Sequence, residues 1–215
     1  MDRYRVAVVI PAFNEEKTIA GVVKASLPFG IPIVIDDNSS DKTAKLALNA
    51  GAVVLSHKKN LGYDEAINSG FKYAAKINAD VAITIDADAQ HNPLLIKKLI
   101  DLLSTGHDVA LGARRSKQRF SEHIFSWYTF FFFGIKDPLS GLKAYRMKLF
   151  RKMSYFDSYK SCGTEMVIFA AKNKYSIGQF DFDVLDREDE SRFGNIIKAN
   201  YKIIRALLLS LWKIK

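Results

Sequence analysis

Cysteine is nearly absent: Cys162 is the single one in 215 residues. One thiol cannot close an internal disulfide, which fits a reducing compartment. No uncharged apolar stretch reaches the roughly 18 residues that a membrane span needs. The first apolar run ends at Pro11, too early for a secretory leader. These absences lead us to expect a cytoplasmic chain that does not cross a membrane. There is also no internal repeat, low-complexity tract or linker that would set off a second globular domain. The four histidines, His57, His91, His107 and His123, show no metal-ligand spacing. His91 is expected at the surface, a supporting place behind a neighbouring site being the alternative.

Charge is not in balance. Lys and Arg number 32 against 23 Asp and Glu, a net charge of +9. Such a surplus calls for an anionic partner: nucleic acid, a phosphorylated substrate or anionic lipid. The basic residues gather at Arg114, Arg115, Lys117 and Arg119, and again from Lys198 to Lys215. No nucleic-acid motif accompanies them, so nucleic acid is set aside.

What is present is an ordinary folded composition, 48% hydrophobic and 26% charged, long enough for one domain with a sizeable core. Apolar runs at 6–10, 32–35, 52–55, 81–85 and 109–111 read as strands. Helical spacing fills the gaps, with Asp41 or Ser40 capping a helix to Asn49 and Pro93 opening one to Ser104. Short connections in a β-α-β-α alternation predict a mostly parallel sheet with helices on both faces. After Arg115 the alternation lapses into an aromatic stretch, 120–134. A helix over 164–173, a strand over 178–184 and a last helix over 193–213 follow.

The chain is organised around Val81–Pro93, VAITIDADAQHNP. A short apolar strand empties into Asp86, Asp88 and Gln90, and ligands of open α/β sheets bind at that carboxyl edge. Three oxygen donors from one turn suit Mg²⁺ or Mn²⁺, which accept one or two carboxylates and fill their shell with water and substrate phosphates. The alternative is a polar turn whose aspartates cap the next helix. Polar clusters also follow strands one and two, at Pro11–Glu16 and Asp36–Thr43, and belong to the same edge.

Together with Asp137–Leu142 and the following Lys143-Ala144-Tyr145-Arg146, these loops resemble the family 2 glycosyltransferases of GT-A fold. The branch they most resemble is the polyprenyl-phosphate hexose synthases, of which dolichol-phosphate mannose synthase is one. The resemblance covers nearly the whole chain. It implies an inverting, metal-dependent hexosyltransferase that moves a sugar from a GDP- or UDP-linked donor to a polyprenyl phosphate. Pro11, Phe13, Glu15 and Asp37 then form the nucleoside pocket, and Asp86, Asp88 and Gln90 hold the metal. Arg187 and Arg192 close over the diphosphate, although Glu190 stands where the family's R-x-x-G-x-S-K pattern has glycine and the spacing to Arg192 is tighter. Arg114 and Arg119 hold the acceptor phosphate. Glu165 is either a general base or a favourable charge at a helix start. A hydroxyl acceptor, or a non-catalytic nucleotide-sugar-binding protein, stays open as an alternative. A sugar-1-phosphate nucleotidyltransferase would need a glycine-rich basic loop after strand one, which Pro11–Glu16 is not.

Residues 1–192 are expected to form the catalytic domain and 193–215 a basic amphipathic helix. At about 100° per residue, Lys198, Lys202, Arg205 and Lys213 share one stripe, with apolar residues over the rest. Such a helix either lies in a bilayer interface or packs on its own domain. With the aromatic stretch nearby, the expected location is peripheral, on the cytoplasmic face of a membrane.

Overall fold

The first half of the chain alternates as its hydrophobic pattern predicts. In order come β1 (Val6–Ala12), α1 (Ile19–Ser26), β2 (Ile31–Asp36), α2 (Thr43–Asn49), β3 (Val53–Ser56), α3 (Tyr63–Lys76), β4 (Val81–Thr84), α4 (Leu95–Ser104) and β5 (Val109–Arg114). They are followed by α5 (Phe120–Phe133), β6 (Lys143–Arg146), α6 (Met147–Met153), α7 (Glu165–Lys172), β7 (Ile177–Phe182) and α8 (Ile196–Trp212). This is a computed structural model, which describes residues 4–117, 119–158, 160–185 and 196–212.

The strands form one sheet in the order β3-β2-β1-β4-β6-β5-β7. Every neighbouring pair is parallel except those of β6, which runs antiparallel to both β4 and β5. Apolar side chains cover both faces. One face gathers Phe71, Phe125, Tyr145, Phe150 and Phe156; the other gathers Ile10, Ile83, Ile85, Ile96 and Leu99. Phe71 is the hub of the first: its ring lies 5.9 Å from Tyr145, 5.4 Å from Phe150 and 4.9 Å from Phe156. Truncating a side chain so enclosed costs about 3–5 kcal/mol. Helix α3 presses close to β1 because Gly70 has no side chain; a Cβ there would stand 2.2 Å from Val9 Cγ1.

Four elements depart from the sequence pattern, one of them α6, which stands where no helix is expected. β1 does not stop at Pro11 but runs through it to Ala12, with Pro11 opposite Ile35. Its pairing with β4 ends two residues earlier, at Val9, so the missing N–H falls where β1 has lost one neighbour. The aromatic stretch forms a full helix, α5, ended by Gly134 with φ 68°. Lys143–Arg146 is a strand, too short and too polar at its ends to stand out in sequence. Asp41 does act near the start of α2, its carboxylate accepting the Thr43 N–H at 2.9 Å. Among the described residues, no helix is long and apolar enough to cross a membrane.

Candidate active site

The loops after β1, β2 and β4 open at one edge of the sheet, and each contains a residue in the left-handed region: Asn14 (φ 54°), Asn38 (φ 67°) and Ala89 (φ 60°). Asparagine adopts that conformation readily, alanine less so. The first two loops are laced together. Ser40 N donates to Asn14 Oδ1 (2.8 Å), Glu15 N to Thr43 Oγ1 (2.7 Å) and Lys42 N to Glu16 Oε2 (3.2 Å).

Between them lies a cavity of about 550 Å³. Pro11, Phe13, Glu15, Asp37, Asp86, Asp88, Gln90, Arg114 and Arg119 all line it. The sheet edge thus brings together nine positions spread over more than a hundred residues. Glu165 is not among the lining residues. Arg187 and Arg192 lie outside the described residues.

Asp37 is 4% exposed, and its carboxylate is already well supplied with donors. It accepts Leu61 N at 2.8 Å and Gly62 N at 2.7 Å, and His57 Nδ1 stands 2.7 Å away. His57 Nε2 in turn lies 2.9 Å from Ser69 Oγ on α3. The carboxylate therefore gathers the 57–62 loop to the cavity rim and presents what acceptor capacity remains to it.

Asp86 follows β4 and stands against Gly141. A Cβ at Gly141 would come within 2.2 Å of Asp86 Oδ2 and 2.6 Å of Oδ1. Gly141 is pinned there, since its carbonyl accepts Thr84 Oγ1 at 2.7 Å. Tyr63 donates its hydroxyl to Asp86 Oδ1 at 3.3 Å. His91 is 4% exposed and packed edge-on to Phe182 at 5.5 Å; its Nδ1 lies 3.7 Å from Asp86 Oδ2 and has no hydrogen-bond partner among the described residues. The surface position expected for His91 is therefore corrected: the ring of Phe182 encloses it behind Asp86. Asp88 Oδ1 accepts Gln90 N at 3.1 Å. Gln90 also ties this loop to the chain after β7, its carbonyl accepting Leu185 N at 3.0 Å.

Among the described residues no group of three or more His, Cys, Asp or Glu could hold a metal ion by itself. The donor set at the edge still fits a hard divalent cation. Two carboxylates and an amide on one cavity wall match the partial shell that Mg²⁺ or Mn²⁺ takes when substrate phosphates complete it. A closed protein cage would leave no position for the substrate.

Arg114 ends β5 and grips Asp137 with both prongs, Nε at 2.7 Å from Oδ2 and Nη2 at 3.1 Å from Oδ1. Asp137 is fully buried and also accepts the Arg114 N–H at 3.2 Å. Burial alone would lower the guanidinium's pKa; the bonds to Asp137 and its charge outweigh this and hold it above the ordinary value. Glu122, 2% exposed, receives Arg119 Nη1 at 2.8 Å and stands 3.3 Å from Arg114 Nη2. Both arginines are thus oriented by buried carboxylates before any ligand arrives.

Glu165 opens α7, 3% exposed, and accepts Ser158 N at 2.6 Å and Ser158 Oγ at 3.0 Å. Of the two roles read from sequence, this geometry suits the helix-starting one. Nearby, Lys143 is buried and donates to the Gly163 carbonyl at 2.8 Å. Burial lowers its pKa to about 8, while burial and then Asp157 push the Asp64 carboxyl up to about 7.

The family model for glycosyl transferase family 2 matches residues 7–163. The chain belongs to that family. A UDP-N-acetylglucosamine–dolichyl-phosphate N-acetylglucosaminyltransferase of Methanococcus voltae is 28% identical over 96% of this chain and 96% of its own. A dolichol-phosphate mannosyltransferase of Pyrococcus furiosus is 33% identical over 53% of this chain and 34% of its own. A crystal structure of glucosyl-3-phosphoglycerate synthase from Mycobacterium tuberculosis, holding Mn²⁺, UDP and glucosyl-3-phosphoglycerate, superposes with a TM-score of 0.78. It is 22% identical and covers 97% of this chain and 80% of that one. The fold of this family 2 chain is GT-A.

Several contributors to the family 2 site carry no local signal in sequence. Tyr63, Glu122, Gly141 and Lys202 all line the cavity from elements far apart in the chain. Asp137 and Gly141 fall inside a stretch that sequence singled out, but their partners, Arg114 and Asp86, were assigned elsewhere. In sequence Lys202 belongs to the basic stripe of the last helix; the side chain of Lys198 and residue Lys213, in the same stripe, lie outside the described residues.

Proposed function

We propose that the chain transfers a hexose, with inversion, from a GDP- or UDP-linked donor to a polyprenyl phosphate at the cytoplasmic face of a membrane. The observation that carries this reading is the single cavity that joins Asp86 and Asp88 to the laced loops on one side and to Arg114 and Arg119 on the other. The similarity to transferases named for dolichyl phosphate supports the acceptor class, and the Mn²⁺ and UDP in a fold relative support the donor class.

In this reading Pro11, Phe13, Glu15 and Asp37 receive the nucleoside. Asp86, Asp88 and Gln90 would hold Mg²⁺ or Mn²⁺, whose charge offsets that of the departing diphosphate. Arg187 and Arg192, two and seven residues beyond the anchored Leu185, are assigned to the same diphosphate on the resemblance alone. Arg114 and Arg119 orient the acceptor. A phosphate monoester has its second pKa near 6 and is largely dianionic at neutral pH, so it attacks without a base. A hydroxyl acceptor needs a base within about 3 Å. Glu165 lies off the cavity and Glu122 is held by two arginines, which favours the phosphate acceptor.

The membrane part rests on α5 and α8. Trp127, Phe130, Phe131 and Phe132 are all exposed on α5, and Ile197, Tyr201, Leu208 and Trp212 on α8. α8 packs inward through Ala199, Ile203, Ala206 and Ser210. So large and aromatic an exposed face suits a bilayer interface.

The test is a transfer assay with purified protein, Mn²⁺, a panel of GDP- and UDP-hexoses and undecaprenyl phosphate in vesicles. One donor is expected to yield a lipid-linked β-hexosyl phosphate from an α-linked sugar. Retention of the anomeric configuration, or transfer only to sugar hydroxyls, overturns the proposal.

A further inference from the structure

Helix α8 is fixed in register by side chains along its length. Ser121 Oγ donates to Asn200 Oδ1 at 2.5 Å, Arg205 Nη1 to the Lys160 carbonyl at 3.2 Å, and Lys172 Nζ to the Ser210 carbonyl at 3.1 Å. With Ala199, Ile203 and Ala206 buried between these points, the helix neither slides nor rotates freely. Its position sets Lys202 and Ile203 in the lining of the cavity that Arg114, Ser116, Arg119 and Cys162 also line, and the Ser121–Asn200 bond joins α8 to the start of α5 beside Arg119. Lys202 is close enough for its charge to favour the Cys162 thiolate against the burial and the carboxylates that disfavour it.

Charge makes this placement matter. Arg114 and Arg119 face two buried carboxylates, Asp137 and Glu122. Lys202 brings an ammonium group to the cavity that these arginines line. One residue away on the same helix, Tyr201 is 69% exposed, on the face that also shows Ile197 and Leu208. A chain lying on that apolar face has its phosphate one helical step from the cavity.

We propose that Lys202 is a binding residue for the acceptor phosphate, so that α8 is a wall of the acceptor site as well as a docking element. The inference rests on the lipid-phosphate reading above. Lysine suits the role as a mobile point charge that complements the fixed forks of the two arginines.

The experiment compares wild type with K202Q, K202R and K202E, using farnesyl phosphate in solution and undecaprenyl phosphate in vesicles. Folding is checked by circular dichroism. K202Q is expected to raise the acceptor KM roughly tenfold in both formats, the loss of about one charge-assisted hydrogen bond. K202E is expected to raise it further and K202R to restore most of the loss, with the donor KM unchanged throughout and K202R floating with vesicles as wild type does. An acceptor KM unaltered in K202Q overturns the inference while leaving the transfer reaction standing. An equal rise in donor KM also overturns it, by assigning the lysine to the donor diphosphate. So does a loss confined to vesicles, which makes the lysine a membrane contact only. If wild type itself uses neither prenyl phosphate, the proposed function fails and the inference with it.

Discussion

Gly141 backs directly onto the Asp86 carboxylate, so closely that a single methyl group would overlap both oxygens. The glycine sits between β5's partner Asp137 and strand β6, and the Thr84 hydroxyl on β4 holds its carbonyl in place. The glycine is held, so the Asp86 side chain, 31% exposed, is the side that gives way. G141A is therefore expected to displace Asp86 without unfolding the chain, because the residue lies in a loop and not in a packed element. A displacement near 1 Å in a positioning group lowers turnover roughly hundredfold. Thermal-shift titration with UDP or GDP and Mn²⁺ should show the metal-dependent part of the stabilisation falling in G141A. Full retention of that part would sink the assignment of Asp86 to the cation.

Asp137 and Arg114 form a pair in which the carboxylate is fully buried and the guanidinium side chain is 18% exposed. Removing only the carboxylate strands the Arg114 N–H and leaves the guanidinium with Glu122 alone. D137A is expected to lose about 3–5 kcal/mol in urea unfolding, the range for breaking a buried pair on one side. The double variant R114M/D137L is expected to regain much of that stability while staying inactive, since the acceptor contact is gone. A D137A midpoint equal to wild type would show that the pair adds nothing to the fold.

The group formed by half-buried Asp64 and buried Lys143 and Asp157 makes stability depend on pH in a way that can be signed. The Asp64 carboxyl is raised from 3.8 to about 7, so the folded chain binds its proton more tightly than the unfolded chain. Its contribution to stability is then complete below about pH 4 and is lost as pH rises through about 7. Lys143, lowered from 10.5 to about 8, acts in the other window: the folded chain releases that proton first, so stability grows from about pH 8 to about 10.5. D64N removes the first limb alone. Its melting temperature, relative to wild type, is expected to climb between pH 5 and pH 8. A difference that stays flat over that range would mean Asp64 titrates as an ordinary carboxylate.

How much of this was legible depends on how local each signal is. The strands of the parallel half announce themselves because a buried strand needs only a short apolar run ending in a turn, as Val81–Thr84 does before Asp86. The cavity could be foreseen from the same logic, since all such loops open at one edge. β6 could not, because its four residues Lys143–Arg146 are strand-like only between β4 and β5. Its Lys143 looks like a surface residue until the Gly163 carbonyl and the neighbouring carboxylates are seen around it. The roles of Asp137 and Gly141 belong to pairs separated by 23 and 55 positions, a relation that exists only after folding. Sequence leaves the final helix either in a bilayer interface or packed on its own domain. It is packed through Ala199, Ile203 and Ala206 while Tyr201 and Trp212 stay outside, so period alone could not separate the two.

The outward aromatic face of α5 provides the last prediction. Trp127 and Phe131 stack one helical turn apart, centroids 6.0 Å from each other, both about 70% exposed. Nothing in the packing of the sheet needs them, since α5 turns Phe125 and Thr129 inward and contacts α8 on its flank. Exposed stacked rings gain little in water, whereas each large side chain taken from water into an apolar layer gains about 1.5–3 kcal/mol. The double variant W127S/F131S is therefore expected to keep its melting temperature and its KM for soluble farnesyl phosphate. Its partition onto anionic vesicles should fall at least roughly tenfold. Flotation at two salt concentrations separates the ring contribution from the basic residues of α8, because only the latter weakens as salt rises. If the variant floats as wild type does, the rings serve something other than a bilayer, and α8 alone carries the docking.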